Sequence, residues 1–168
     1  SVIVIAHLSL CTQFINMFGT QGQKSHFIPD LAQGKKLGAF ALTEPNAGSD
    51  AAALRTTATR SNGSYILDGT KLFITNAVDA DLFIVLASQD LSLRSKGINA
   101  LIMERETEGL DINPQHGKMG MRASSTAEMI FNHCEVPAEN RLGDERDGFR
   151  QTMEILNASR IAIAAQCV

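Results

Sequence analysis

Cysteine is scarce in this chain of 168 residues: Cys11, Cys134 and Cys167, odd in number and far apart. That excludes a disulfide framework, and the lack of any Cys-x-x-Cys pair excludes a cysteine-based zinc site. A reducing compartment follows. The four histidines, His7, His26, His116 and His133, fall on separate segments with no metal-ligand spacing, so no metal is expected. There is no Gly-x-Ser-x-Gly elbow for a serine nucleophile and no Gly-x-Gly-x-x-Gly turn for a dinucleotide. No long basic run exists and the net charge is −3, which argues against nucleic acid as the main partner. Small anionic ligands remain open, because one Arg or a helix N-terminus can bind them. The apolar opening stretch is broken by His7, Gln13 and Asn16 and ended by Gly19, so no membrane span is expected. It lacks the basic n-region of a signal peptide.

What is present is an ordinary globular composition, with 44% hydrophobic and 20% charged residues. The length suits one domain, which buries roughly 70% of its extended-chain surface. Residues 2–18 pattern as a buried helix anchored by Ile3, Leu10, Phe14, Ile15 and Phe18 and stopped by Gly19. Ser1 stands inside this pattern without a cap, as though the chain began within a helix. Thr20 with Gln23 makes a capping box for a short helix over 21–25. Pro29 opens a further turn, closed by Gly34. From Leu37 to Val136 the pattern predicts strands over 37–43, 54–61, 65–68, 71–76, 81–88, 98–105, 110–114 and 126–136. Such spacing suggests a barrel or sandwich. Asn62-Gly63 and Asp68-Gly69 are read as hairpin turns, and 90–97 as a loop. Asp147 is the expected cap of a final helix, apolar on nearly every side from Ile161 and ending uncapped at Val168. Such a helix needs a partner. The fold class is therefore α+β, an antiparallel β-barrel or sandwich flanked by helices at both ends.

Two stretches could carry chemistry. In TEPNAGSD, Gly48 would let backbone N–H groups approach a ligand, while Thr43 and Ser49 offer hydroxyls. A plain strand-to-loop exit would read the same. In KLFITN, Phe73 and Thr75 share a strand face, a flat aromatic beside a hydroxyl that suits a planar cofactor. An ordinary core Phe and a β-favoured Thr would also read the same. Arg160, in an apolar helix, is either half of an ion pair or a ligand contact.

FALTEPNAGSD, KLFITNA, KMGMRASSTAEMIFNHCEVPAENRLG, GF and LNASRIAIAAQ resemble, in that order, the signature stretches of acyl-CoA dehydrogenases. The likeness runs through essentially the whole chain. It implies the end of an N-terminal helical domain (1–36), a middle β-domain (37–136), and a linker with the first helix of a C-terminal helical domain (137–168). That is about half of a family subunit. It further implies FAD as cofactor and oxidation of an acyl-CoA substrate to the 2,3-enoyl product, by α-proton abstraction and β-hydride transfer. By the same resemblance Phe40, Leu42, Thr43, Gly48, Ser49, Phe73, Ile74 and Thr75 hold the flavin, and Ser49, Asn157 and Arg160 contact the acyl-CoA. An electron-transfer flavoprotein would accept the electrons. The family also implies fatty acid β-oxidation, a homo-oligomer such as a homotetramer, and a cytoplasmic or mitochondrial matrix location for a bacterial or eukaryotic source.

Departures are informative. Phe73 stands where many members have Trp, Arg146 where a Gly is common, and Asn157 where Asp is usual. Ser159 occupies the place where a minority of members carry the catalytic glutamate, so the base is expected beyond Val168 and none is assigned here. An acyl-CoA oxidase or nitroalkane-oxidase relative would share these features, as would a flavin-site domain without activity. Retention of Thr43, Ser49, Thr75 and Arg160 together argues against decay.

Overall fold

The computed structural model describes residues 2–167, and the readings placed on Ser1 and Val168 lie outside them. The chain opens with α1 (Val2–Ile5), a π-helical stretch (Ala6–Thr12) and α2 (Gln13–Phe18) in one continuous helix. The wider π turn loosens the backbone ladder, and Thr12 Oγ1 donates to the His7 carbonyl at 2.9 Å. The buried face is Ala6, His7, Cys11, Phe14 and Ile15. Of the expected anchors, Ile3, Leu10 and Phe18 are only half-buried. Helix α3 (Gln21–Ala32) begins with the expected capping box, in which Gln23 N–H donates to Thr20 Oγ1 at 3.2 Å and Thr20 N–H to Gln23 Oε1 at 2.7 Å.

The expected break at Pro29 does not occur: α3 runs through it as one helix. Gln23, Phe27 and Leu31 form a buried stripe at i, i+4 and i+8 that extends past the proline. The carbonyl that Pro29 cannot engage belongs to Ser25, on the exposed side, where water can satisfy it. Gly34, at φ 68°, ends the turn in the left-handed region.

Seven strands follow: β1 (Gly38–Ala41), β2 (Thr57–Ser61), β3 (Ser64–Thr75), β4 (Leu82–Ser88), β5 (Ile98–Glu104), β6 (Leu110–Pro114) and β7 (Thr126–Pro137). They form one curled sheet in the order β1-β4-β2-β3-β7-β6, with β5 also paired to β4. Most pairs are antiparallel as expected, but β1 joins β4 in parallel, as does β2 through one residue pair. The run LFIVLAS is buried throughout because both faces of β4 are covered. Leu82, Ile84 and Leu86 pack on the helices with Phe14, Ile15, Phe27 and Leu31. Phe83 and Val85 face the opposite core with Tyr65, Leu67, Leu101 and Met129.

Asn62-Gly63 is the expected tight turn: φ is 42° and 88°, and Ser61 pairs with Ser64 across it. Asp68-Gly69 is not a turn. It lies inside β3, opposite an extra residue in β7, since Leu67 and Gly69 pair with Cys134 and Phe131. His133 takes φ 54° in that bulge, and its N–H donates to Asp68 Oδ1 at 2.9 Å. Gly69 is needed for another reason: a Cβ there would lie 2.7 Å from the Thr56 backbone. The two segments read as separate strands are therefore one.

The segment expected as a loop after Asp90 forms 3-10 turns over Leu91–Gly97, kinked at Arg94 with φ 48°. Helix α4 (Gly148–Gln166) starts after Asp147, but no side-chain cap forms there. Its carboxylate instead pairs with Arg150, Nε to Oδ1 at 2.8 Å. On α4 the buried residues are Gly148, Gln151, Thr152, Ile155 and Ser159, and beyond Ser159 the face is open, with Ile161 78% exposed. No helix among the described residues is long and apolar enough to cross a membrane.

Candidate functional site

The end of β1 and the end of β3 come together because the Leu72 N–H donates to the Thr43 carbonyl at 2.8 Å. In front of them lies a cleft of about 210 Å³, lined by Ala6, Leu10, Phe40, Leu42, Thr43, Phe73, Ile74, Thr75 and Leu156. Six of the eight residues expected to hold a cofactor therefore meet on one wall. The π-helical stretch and α4 supply the opposing aliphatic side. The volume is below the roughly 300 Å³ at which sites for a whole drug-sized ligand begin, so this slot suits one portion of a larger molecule. Larger hollows exist elsewhere, one of about 460 Å³ between α3 and Pro137–Asn140, but it shares none of these residues.

The wall is rigid for identifiable reasons. Phe14 stands behind Phe40 with ring centroids 5.9 Å apart. Phe73 is not the core residue that simple alternation allows: it is 61% exposed. Lys71 and Ile74 pair with Met129 and Ala127, leaving one extra residue on β3. That bulge reverses the parity, so Ile74 turns into the core and Phe73, at φ 60°, is turned outward beside the cleft. A left-handed aromatic is strained, and strain of this kind concentrates at functional sites.

Beneath the wall lies a buried ion pair absent from the sequence reading. Lys71 Nζ and Glu44 Oε1 are 2.7 Å apart, with side chains 0% and 5% exposed. Lys71 Nζ also donates to the Leu42 carbonyl at 3.0 Å. Glu44 accepts from the backbone N–H groups of Arg55 at 2.6 Å and Thr56 at 3.0 Å. Burial pushes Lys71 down to about 8, against the upward pull of Glu44. Burial also works to raise the Glu44 carboxyl, but the Lys71 charge and the donors from Lys71, Thr56 and Arg55 together hold it below its usual value. The pair is thus charged at neutral pH. One signal for it was available: Lys71 has the same odd parity as the inward Tyr65 and Leu67, an unusual place for a lysine.

Two further buried groups went unread. His7 Nδ1 accepts the Gly38 N–H at 2.9 Å, so Nε2 carries the proton and donates to the Leu31 carbonyl at 3.0 Å. Asn76 Nδ2 donates to the carbonyls of Ile3 at 3.0 Å and Gly38 at 3.4 Å. Together they lock the opening helix to β1. The approach is close enough that a Cβ on Gly38 would collide with Cys11 Sγ. Burial pushes the Cys11 thiol up to about 12.

The remaining expected residues lie outside the cleft. Glu44 and Ala47 exchange backbone hydrogen bonds around Pro45-Asn46, and Gly48 and Ser49 follow on the exposed side. Apart from its chain neighbours, nothing among the described residues lies within 4 Å of a Cβ added at Gly48. Asn157 and Arg160 are exposed on α4, with Arg160 Nε donating to Asn157 Oδ1 at 3.4 Å. Arg160 lines an open apolar hollow with Leu156, Ser159, Ile163 and Ala164, which meets the cleft at Leu156. Ser159 Oγ donates to the Leu156 carbonyl at 3.0 Å.

The sequence profile of the acyl-CoA dehydrogenase middle domain matches residues 39–134. An acyl-CoA dehydrogenase of Bacillus subtilis is 48% identical over 167 residues, covering 99% of this chain and 44% of that protein. The butyryl-CoA dehydrogenase structure from Megasphaera elsdenii is 46% identical with a TM-score of 0.96, covering 98% of this chain and 43% of that one. A chain from the structure of the electron transferring flavoprotein of Acidaminococcus fermentans is 47% identical, also at a TM-score of 0.96, covering 98% and 43%. The chain thus spans less than half the length of these relatives.

Proposed function

Since this chain belongs to the acyl-CoA dehydrogenase family, we propose that it forms the cofactor-binding wall of an FAD-dependent enzyme that oxidises an acyl-CoA thioester to the 2,3-enoyl-CoA. The observation that carries this reading is the meeting of Thr43 and Thr75, from two separated stretches, in one narrow cleft backed by Phe40 and flanked by Phe73. The fit is chemical as well as spatial. A flat ring needs apolar walls and a few directed donors. Here the donors are the two hydroxyls and the Thr43 N–H, which no backbone carbonyl takes among the described residues.

Bound there, FAD would supply a two-electron acceptor. The residues of this chain would orient it and exclude water. Thr43 and Thr75 would donate to the ring's polar edge, stabilising the electron-rich reduced form. Gly48 and Ser49, on the open side of the turn, would follow the rest of the cofactor, with Ser49 reaching the thioester arm. Leu10 and Leu156 give an aliphatic side for an acyl chain, and Asn157 and Arg160 border the adjoining hollow, where the CoA portion would run. No carboxylate lines the cleft among the described residues, so the group that removes the α-proton would come from outside them.

In this reading residues 1–36, 37–136 and 137–168 belong to three successive domains of a homo-oligomer. Its electrons leave through an electron-transfer flavoprotein, in the cytoplasm of a bacterium or the matrix of a mitochondrion. The test is optical. The full-length polypeptide carrying this chain should purify yellow and bleach when butyryl-CoA is added without air. Reoxidation by an electron carrier but not by oxygen would mark a dehydrogenase rather than an oxidase. A colourless protein that takes up no FAD would overturn the proposal.

A further inference from the structure

We propose that the buried Lys71–Glu44 pair is a positioning element: it aims the Thr43 amide into the cleft and so sets the binding and redox poise of the flavin held there. The inference rests on the flavin reading above and adds residues that lie beneath the cleft and do not line it.

The argument starts from one peptide group. Lys71 Nζ, inside the sheet, holds the Leu42 carbonyl at 3.0 Å. A trans peptide is planar with its C=O and N–H on opposite sides, so the Thr43 N–H of that same unit points away from Lys71. Leu42 and Thr43 line the cleft and Lys71 does not, so the N–H, on the side away from Lys71, is assigned to the cleft. The next peptide is fixed too, by the Leu72 N–H on the Thr43 carbonyl. Thr43 is thus clamped on both flanks, and its amide remains a free donor among the backbone groups described.

Glu44 completes the brace. It orients the ammonium at 2.7 Å and ties it to the Arg55 and Thr56 amides. At 0% and 5% exposure both partners are closed to bulk solvent. A buried ion pair seldom improves on apolar residues of the same volume for stability alone, so a positional role accounts for its presence better than stability does.

The experiment compares two double variants of the full-length polypeptide carrying this chain. Lys71→Met with Glu44→Gln removes the donor to Leu42 and both charges, and the single amide oxygen of Gln keeps an acceptor for one of the Arg55 and Thr56 amides. Lys71→Gln with Glu44→Gln removes the charges but keeps a neutral donor. The readouts are the FAD dissociation constant, the reduction potential of the bound flavin and the thermal midpoint. The methionine pair should weaken FAD binding by up to about tenfold, the worth of one lost neutral hydrogen bond, and shift the potential negative. The glutamine pair should stay within about threefold of the parent. Unchanged binding and potential in a folded methionine pair overturns the inference, as does full loss of binding in a folded glutamine pair. Should the methionine pair not fold, the glutamine pair decides alone. A parent that holds no flavin overturns the functional reading and this inference with it, whereas a parent that binds flavin confines any failure to the brace.

Discussion

Replacing Lys71 by methionine alone tests the physical account of the site most directly. The substitution keeps the aliphatic length and deletes the ammonium. What remains is a Glu44 carboxylate that is 5% exposed, has lost its 2.7 Å counter-charge, and keeps only the Arg55 and Thr56 amides. Removing one partner of a buried pair costs about 3–5 kcal/mol, because the other charge is stranded. Against a total stability of about 5–15 kcal/mol, that is a large loss. Glu44→Gln in the same background removes the stranded charge and should recover part of it, leaving a net loss of about 2–3 kcal/mol for the Leu42 and Glu44 hydrogen bonds and for whichever of the Arg55 and Thr56 amides the single glutamine oxygen does not reach. Equilibrium urea unfolding, followed by far-ultraviolet circular dichroism, measures both. The signature is therefore non-additivity: the double variant is more stable than the single. A single-variant loss below about 1 kcal/mol, or a double variant no better than the single, would refute the reasoning.

Other outcomes follow from the same coordinates. The Glu44 carboxyl lies below its usual 4.5 in the folded chain, so the unfolded chain binds the proton first on acidification. Its contribution is present above 4.5 and is lost as pH falls through the folded value, and an acid titration of the urea midpoint should show this limb missing in Glu44→Gln with Lys71→Met. Arg146 sits at φ 65°, a left-handed conformation that glycine adopts without strain. Arg146→Gly should stabilise by about 0.5–1 kcal/mol, the left-handed penalty less the glycine entropy, read as a higher thermal midpoint. Phe73→Gly relieves φ 60° and should stabilise by a similar amount while weakening FAD binding, since the ring beside the cleft is gone. Equal losses of stability and binding would contradict the reading of Phe73 as a strained wall.

Several features were legible before any coordinates because their causes are local. The Thr20–Gln23 capping box and the Asn62-Gly63 turn need only neighbouring residues, and both form as read. The strands from β4 to β7 follow from runs of apolar and β-branched residues between turn residues. Where the reading failed, a distant partner changed the meaning of a local sign. Pro29 signals a helix end, yet the buried stripe across it kept α3 intact. Asp68-Gly69 signals a turn, yet β7 paired along both sides of it and absorbed the irregularity as a bulge. Asp147 is a fair cap by type, but Arg150 one turn on took its carboxylate.

The residues themselves singled out FALTEPNAGSD and KLFITNA through family likeness, whereas their composition alone fitted a plain loop exit and an ordinary core strand equally well. Only the folded chain decided that they touch. The Leu72–Thr43 hydrogen bond, the parity reversal that turns Phe73 outward and Ile74 inward, and the Lys71–Glu44 pair all join residues from different segments. A charge 27 positions from its partner has no local pattern, because its partner is chosen by the Leu72–Thr43 hydrogen bond that brings β3 to the segment after β1 and by the burial of both side chains.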